Sequence, residues 1–488
     1  MEPIVRIIGW VVFVAAALWP GVALVAFCAA QGGGPADGWM LTARQWGLLW
    51  RSVWLSGAAV GACLVVALPV GLCLAKGCRR SGWLAAAAAG VLLAPPMVYA
   101  FGWAELLPRR LPNEARCVMV WTLWGWPIAA FVMGAGWSRV GRRAFESALL
   151  SVGPIRAFWH VGLPALRRHV VLSGILLFVL FFGDYGVPHA CGLIVHATEL
   201  LLYASSSPRI MDTLWPALPG MVCIGGLLWV AHRLLRAFDD GAVGAGGRDD
   251  ARWARPIAWL LVIVSALPMV ALAVRFGSWD ALGETLRTYG SDVAWTIAAA
   301  VLAAVLAVVM GVALAAGRRG FMAATALTLV FGACPGAVVG VALAAAYNHA
   351  ATGWVYDHVL ILVFGFVARF GWIGMLAGML MGRGGVKGIV EQAMTDGASR
   401  GEAFLRAAVG VHWPMLAAST TAIAALAVAE LPASTVVRPP TFTPLAHVVI
   451  EKFHRFEYGM LIALCAVLVV IVIPAVAATM MVRNRRMA

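Results

Sequence analysis

DVAWTIAAAVLAAVLAVVMGVALAA, residues 292–316, decides the fold. After Asp292 the run carries no ionisable side chain and no proline. At about 1.5 Å per residue a helix of this length spans more than the ~30 Å hydrocarbon core of a bilayer. A lipid-embedded segment must pair its own backbone polar groups, which leaves a helix or a closed barrel. Barrel strands would alternate polar and apolar residues over about ten positions, and this run does not.

Working outward, the same reading applies at 7–29, 52–75, 82–106, 117–137, 170–189, 214–236, 257–274, 321–346, 358–381, 415–433 and 459–482. The expected fold is an all-α polytopic membrane protein of about twelve transmembrane helices. Composition agrees: 62% of the 488 residues are hydrophobic and 12% charged, with a mean hydropathy of +0.89. A soluble domain is about 45–50% apolar and about a quarter charged. Disorder is excluded by the apolar content. A disulfide-built secreted domain is excluded too, because the nine Cys are scattered, several within apolar runs (Cys63, Cys73, Cys223, Cys465), and show no CxxC or Cys/His metal spacing. The first run is longer than the ~7–15-residue core of a cleaved signal, and bulky Phe27 before Cys28 argues against a lipoprotein site.

Basic residues set the orientation. With the N-terminus in the cytoplasm, all but twelve of the 36 Lys and Arg fall on the inner face, among them Arg6, Lys76, Arg139, Arg142, Arg143, Arg156, Arg318, Arg383, Lys387, Arg400, Arg406 and Arg485. Both termini are expected in the cytoplasm of a bacterial cell, with the chain in its inner membrane. The net charge of +14 is then a topology signal, with no nucleic-acid partner implied.

The Gly-, Ala- and charge-rich stretch 233–256 divides the spans into two sets of six. Residues 1–236 read as a first half, 237–256 as a cytoplasmic linker and 257–488 as a second half, the two being pseudo-symmetric. At an offset near 240, LPVGLCLAKGCRR (68–80) matches VMGVALAAGRRG (309–320), with Gly71 over Gly311. LLAPPMVYAFGW (92–103) matches FGACPGAVVGVA (331–342), both placing proline in the membrane. At 246, FFGDYGVP (181–188) lies over AVAELPAS (427–434) and aligns Asp184 with Glu430. Even numbers of spans make the repeats parallel, an arrangement that puts a pathway between the halves.

Two inner loops, 139–169 and 382–414, are long and patterned. In the second, Glu391-Gln392-Ala393-Met394 reads as a short helix, Asp396-Gly397-Ala398-Ser399 breaks it, and Ser399 with Glu402 forms a capping box for the next piece. The loop resembles the EAA loop of permease subunits of ATP-binding cassette (ABC) importers, whose pattern is E-A-A-x-x-x-G, nine residues, a hydrophobic position and x-L-P. Glu391, Ala393 and Gly397 fit, while Val409-Gly410 stands for Leu-Pro. In the first loop Ala157, Phe158, Val161, Leu163 and Pro164 fit the rear of the motif. Counting back puts Ser151 at the glycine and Phe145 at the glutamate, with Glu146 one position late.

What the resemblance implies is a type I importer permease whose loops form coupling helices seated in two cytoplasmic ABC ATPase subunits. The implied contacts are Glu391, Ala393, Gly397, Ala398, Ser399, Ala403 and Phe404 in one loop, and Glu146, Ala148, Gly153, Ala157, Phe158 and Pro164 in the other. Arg156, Arg400 and Arg406 would border them. The other reading of the loops is amphipathic pieces lying on lipid headgroups. ATP and Mg would be used by the partners: this chain has no Walker A, since Gly382 to Gly388 lacks its spacing and its Ser/Thr. No catalytic role and no bound cofactor are expected here. A periplasmic substrate-binding protein is the remaining implied partner.

Two fused halves most resemble the ferric-iron importer group, with thiamine and phosphonate permeases sharing the layout and polyamine as a further cargo. Glu430-Leu431-Pro432-Ala433-Ser434 and Gly183-Asp184-Tyr185-Gly186-Val187-Pro188 carry that likeness. Asp184 and Glu430 either face the pathway or cap the ends of their helices. Arg369 either pairs with a carboxylate in the bundle or snorkels. Pro95, Pro96 and Pro335 read as kinks, at a gate or in packing. His189 and His196 lack a third matched ligand, so no metal site is expected. The 22 Trp fit interface belts.

Two rivals stand beside the permease. An ion-coupled secondary transporter would need coupling carboxylates near the midplane. A membrane enzyme acting on lipid-linked substrates would need a His/Asp/Glu cluster with recognisable spacing, which the sequence does not offer.

Overall fold

The computed structural model describes residues 2–32, 34–35, 38–74, 79–108, 110–137, 142–207, 209–236, 254–274, 279–316, 320–383, 386–455, 457, 459–460 and 462–464. Regular structure among them is entirely helical. In chain order the helices are α1 (Ile4–Gln31), α2 (Ala43–Leu74), α3 (Arg79–Leu93), α4 (Pro96–Leu106), α5 (Asn113–Trp137), α6 (Arg142–Val152) and α7 (Pro154–Phe182). There follow α8 (Gly186–Ala190), α9 (His196–Ser206), α10 (Ile210–Arg236), α11 (Ala254–Val274), α12 (Trp279–Ala316), α13 (Phe321–Ala333) and α14 (Gly336–Tyr347). The last are α15 (Gly353–Tyr356), α16 (Leu360–Arg383), α17 (Val386–Thr395), α18 (residues 400–428), α19 (Pro432–Val436) and α20 (Leu445–His454).

Among the described residues nine helices are long and apolar enough to cross a membrane, or eleven if each of two bent pairs is one crossing. The chain is a polytopic helical membrane protein. Most of the expected twelfth span, and linker residues 237–253, lie outside the described residues, as do the basic turns at 75–78 and 317–319. Two expected spans are not continuous. The third bends by 93° between Leu92 and Pro96, and the ninth by 117° between Ala333 and Gly336. The cause is local: Pro95, Pro96 and Pro335 have no N–H to continue the helix, and the residue before a proline is pushed out of helical geometry. Pro95 and Pro335 adopt nearly the same extended conformation, φ −53°, ψ 134° and φ −54°, ψ 142°.

Helix pairing follows small residues. Along α12 and α16 the backbones meet: a Cβ on Gly374 would sit 2.1 Å from Ala307 O, and one on Gly378 2.1 Å from Gly311 O. Such close approach is how membrane helices gain dispersion contact without a hydrophobic driving force. Gly71 plays the looser counterpart on α2, with its Cβ position 3.1 Å from Ala130 O of α5.

The first helix of each set packs on the other set. α1 lies on α12, α14 and α16, with Trp19 Nε1 donating to Ala346 O at 3.2 Å and Tyr347 Oη to Ala15 O at 2.7 Å. α11 lies on α2, α3 and α4, and Trp126 Nε1 donates to Ser265 Oγ at 2.9 Å. Two large apolar clusters result, each containing buried residues of the crossing helix, Ala16 and Ala17 in one, Ala254 and Ala258 in the other.

Several helices start earlier than the apolar runs. α2 begins at Ala43 because Arg44 and Arg51 are paired there: Arg44 Nε lies 2.9 Å from Glu199, and Arg51 Nη2 3.0 Å from Glu114. The helix can therefore continue past the apolar stretch at little electrostatic cost.

Candidate functional site

α7 ends at Phe182 and α18 at residue 428, and each is followed by an acid that organises the next short helix. Asp184 Oδ1 accepts the Gly186 N–H at 2.9 Å and Oδ2 the Val187 N–H at 3.3 Å, so its carboxylate closes the first turn of α8. Glu430 Oε1 accepts the Ala433 N–H at 3.2 Å and does the same for α19. Free helical N–H groups are the natural partners of a carboxylate. The capping role is therefore realised for both acids, and it does not remove them from the centre. Both line one cavity of about 90 Å³ with Trp121, Tyr185, Arg369 and Trp372.

The two acids are neutralised differently. Arg369, on α16, is 9% exposed; its Nε lies 3.7 Å from Glu430 Oε2, and its Nη1 donates to Gly332 O at 2.9 Å and to Cys334 O. Those carbonyls are at the break before Pro335, where the helix cannot satisfy them. Arg369 thus pairs inside the bundle and does not snorkel. It also reaches across the cavity, since a Cβ on Gly183 would lie 2.7 Å from Arg369 Nη2.

On the other wall the donors are indoles. Trp121 Nε1 donates to Asp184 Oδ2 at 2.8 Å, and Trp124 Nε1 to Ala94 O, at the Pro95 break, at 2.9 Å. Trp121 is held flat against Phe181, ring centroids 5.2 Å apart. The expected membrane-interface role does not cover these side chains: Trp103, Trp121, Trp124, Trp126 and Trp372 are buried, while Trp39, Trp50, Trp83 and Trp354 are exposed. The readable signal was Trp121-Thr122-Leu123-Trp124-Gly125-Trp126, three N–H donors within six residues of an apolar helix.

His189 and His196 are not brought together. His189 Nε2 faces His454 Nε2 at 3.1 Å, and its Nδ1 lies 3.2 Å from Tyr185 Oη. His196 is buried against Phe182, and its backbone N–H donates to Ser52 Oγ at 2.9 Å. Burial pushes the His196 imidazole down to about 4, with Glu199 opposing weakly. Among the described residues no group of three or more His, Cys, Asp or Glu is spaced to hold a metal ion.

The two patterned loops have one construction. α6 ends at Val152, Gly153 takes φ +77°, and α7 starts with Pro154; α17 ends at Thr395, Gly397 takes φ +93°, and α18 follows. Only glycine adopts these values without cost. The bend of the first loop is therefore at Gly153, and Ser151, counted to the glycine position from the rear of the motif, is inside α6 with its Oγ donating to Ser147 O at 2.8 Å. In the second loop Ser399 Oγ accepts the Glu402 N–H at 3.3 Å, the serine half of the expected capping box, while the Glu402 carboxylate pairs with Arg406 at 3.0 Å. Each loop leads into a wide π-type turn, Phe158–Gly162 and Ala403–Val409. Ala157 and Ala403 are buried beneath them, whereas Glu391 is exposed and Glu146, Ala148, Ala393, Ala398, Phe158, Phe404 are half-buried and Pro164 is exposed. Leu150 and Ile155, flanking Gly153, are left 91% and 74% exposed.

No protein-family model matches the chain, and neither a curated protein nor a solved structure matches it.

Proposed function

We propose that the chain is the transmembrane permease subunit of an ABC importer in the bacterial inner membrane. It takes a solute from a periplasmic binding protein and is driven by two separate ATPase subunits docked on loops 139–169 and 382–414. The observation that carries the reading is the shared construction of these loops: helix, glycine at positive φ, helix, with apolar side chains uncovered beside the first bend. A headgroup-lying helix needs no such bend, whereas a knuckle gripped by another protein does.

The two sets of helices are read as pseudo-symmetric halves around the cavity, each with a proline-broken pair and an acid-capped short helix. Closure of the ATPases pulls on α6 and α17; these move α7 and α18, whose far ends carry Asp184 and Glu430. Among the described residues the cavity lining carries two carboxylates against one guanidinium, and Asp184 accepts from neutral donors, the Trp121 indole and the Gly186 and Val187 amides. A cationic cargo complements that balance, which favours ferric iron, the cargo the subgroup likeness implies, or thiamine or a polyamine, over an anionic phosphonate.

The second reading is an ion-coupled secondary transporter, favoured by that same buried carboxylate. Mild-detergent purification of the full chain from its native membranes, with mass spectrometry of its partners, separates the two. A stoichiometric ABC ATPase that is lost in Gly397→Trp supports the permease. Absence of an ATPase under conditions that preserve a known importer complex, with uptake abolished by ionophores, overturns it in favour of ion coupling.

A further inference from the structure

Cys117 and Cys191 have no place in the pathway described above, yet the fold brings them together. Cys117 is in the second turn of α5 and fully buried; Cys191 closes α8 and is 8% exposed. Both are free thiols here, members of one buried cluster, and each sulfur lies within interaction reach of the other. Neighbouring geometry gives the same approach independently: α8 packs on α5, and the Cβ position of Gly192 is 3.5 Å from Asn113 Nδ2. Cys191 is also held in place, its backbone N–H bonded to Val187 O at 3.0 Å and Pro188 O at 3.1 Å. Cys63 contrasts with this pair: its sulfur is directed at the Trp121 and Thr122 carbonyls.

We propose that Cys117 and Cys191 are joined by a disulfide on the periplasmic side of the membrane. The proposal rests on the orientation given under Proposed function, which sets the N-terminal end of α5 in the oxidising compartment. The oxidant is the disulfide of a periplasmic thiol–disulfide oxidoreductase. As the chain folds, the Cys191 thiolate attacks one sulfur of that disulfide and expels the other as a thiolate, giving a mixed disulfide. The Cys117 thiolate then attacks Cys191 Sγ and expels the remaining donor thiolate. Two electrons pass to the donor, whose two thiolates take up the two protons lost by the cysteines.

The bond would join the two elements that hold Asp184. Cys117 is one turn before Trp121, the indole donor, and Cys191 ends the helix whose first amides bind the carboxylate. The chain between the two cysteines also descends to the Gly153 bend and returns. A crosslink at its outer ends would fix the wall of the cavity while the inner ends follow the ATPases.

The test uses the full-length chain. Whole cells are treated with an alkylating agent before lysis, and the denatured protein is digested without reductant. A peptide pair containing Cys117 and Cys191, lighter by two hydrogen atoms than the separate thiols and lost on reduction, is the expected result. In Cys117→Ser, Cys191 should become alkylated without reduction. Orientation is read separately from Arg110→Cys, on the exposed turn before α5, with a membrane-impermeant maleimide. Alkylated Cys117 and Cys191 in wild-type protein, with Arg110→Cys labelled from outside, overturn the disulfide alone. The same thiols with Arg110→Cys labelled only in inverted vesicles overturn both the disulfide and the orientation.

Discussion

Replacing Arg369 with leucine removes the one cation among the described residues lining the cavity. Three acceptors depend on it: Glu430 Oε2 at 3.7 Å, Gly332 O at 2.9 Å and Cys334 O. The side chains of Arg369 and Glu430 are 10% and 9% exposed, so water replaces little of what is lost. Breaking a buried pair from one side costs about 3–5 kcal/mol, and a stranded carbonyl about 1–3 kcal/mol. These overlap, because one guanidinium serves all three, and a loss of about 4 kcal/mol in unfolding free energy is expected. Arg369→Leu with Glu430→Gln should cost less than the sum of the single changes, since Gln still accepts the Ala433 N–H and no charge is stranded. A coupling of about 2 kcal/mol is expected for groups in direct contact. Equilibrium unfolding of the detergent-solubilised chain by SDS, run as a double-mutant cycle, measures both. A single-variant loss under about 1 kcal/mol, or strict additivity, would refute the assigned network.

Three further outcomes follow from the same geometry. Gly374→Ala should destabilise by about 1–3 kcal/mol because its Cβ would meet Ala307 O at 2.1 Å, whereas Gly61→Ala, with open space around it, should be neutral or slightly stabilising; SDS unfolding compares them. Gly153→Val and Gly397→Val force a branched residue to φ +77° and +93°, about 1–3 kcal/mol of local strain each. Both should lose ATP-driven uptake in proteoliposomes while still inserting; normal uptake would count against the coupling role. His196, in α9 outside the spanning helices, is held neutral by burial, its imidazole pushed down to about 4 from an ordinary ~6.5. The unfolded chain then binds the extra proton, so stability should fall as pH drops from about 6.5 towards 4, by up to about 3 kcal/mol, and His196→Gln should flatten that part of the profile.

The sequence revealed most where chemistry is local. Long apolar runs became helices because lipid admits little else, and Gly397 and Ser399 announced a bend and a cap that depend on a few neighbouring residues. Motif counting failed in the first loop for a physical reason. Its bend needs positive φ, which Gly153 supplies and Ser151 cannot, so the bend follows the glycine and not the spacing. The proline breaks were visible as Pro95, Pro96 and Pro335, but their size was not. A proline removes hydrogen bonds, and whether the chain kinks or turns by 93° or 117° depends on who satisfies the freed carbonyls. Those partners, Trp124 and Arg369, come from the next long helix in each case. The crossing of α1 and α11 onto the opposite sets left no mark in hydropathy, because both surfaces are equally apolar.

The different partners at the two breaks bear on how each break would respond to movement of the helices beside it. At the Pro95 break the carbonyl and the nearby acid are served by separate neutral donors, Trp124 for Ala94 O and Trp121 for Asp184. At the Pro335 break one guanidinium serves the carbonyls and Glu430 together. The second arrangement couples the bend of α13–α14 to the position of α18, since moving Glu430 strains the same side chain that holds the break. The first does not, because separate side chains serve the acid and the break. The cavity therefore has one wall, bearing Asp184, held by separate neutral hydrogen bonds, and another held by the Arg369–Glu430 pair. On the permease proposal, displacement driven from the Gly397 loop through α18 would act on that pair, whereas displacement from the Gly153 loop through α7 would reach the neutral hydrogen bonds. Unequal work at two similar loops would be the consequence of that proposal, with stiffening of the Gly397 loop expected to cost more uptake than stiffening of the Gly153 loop.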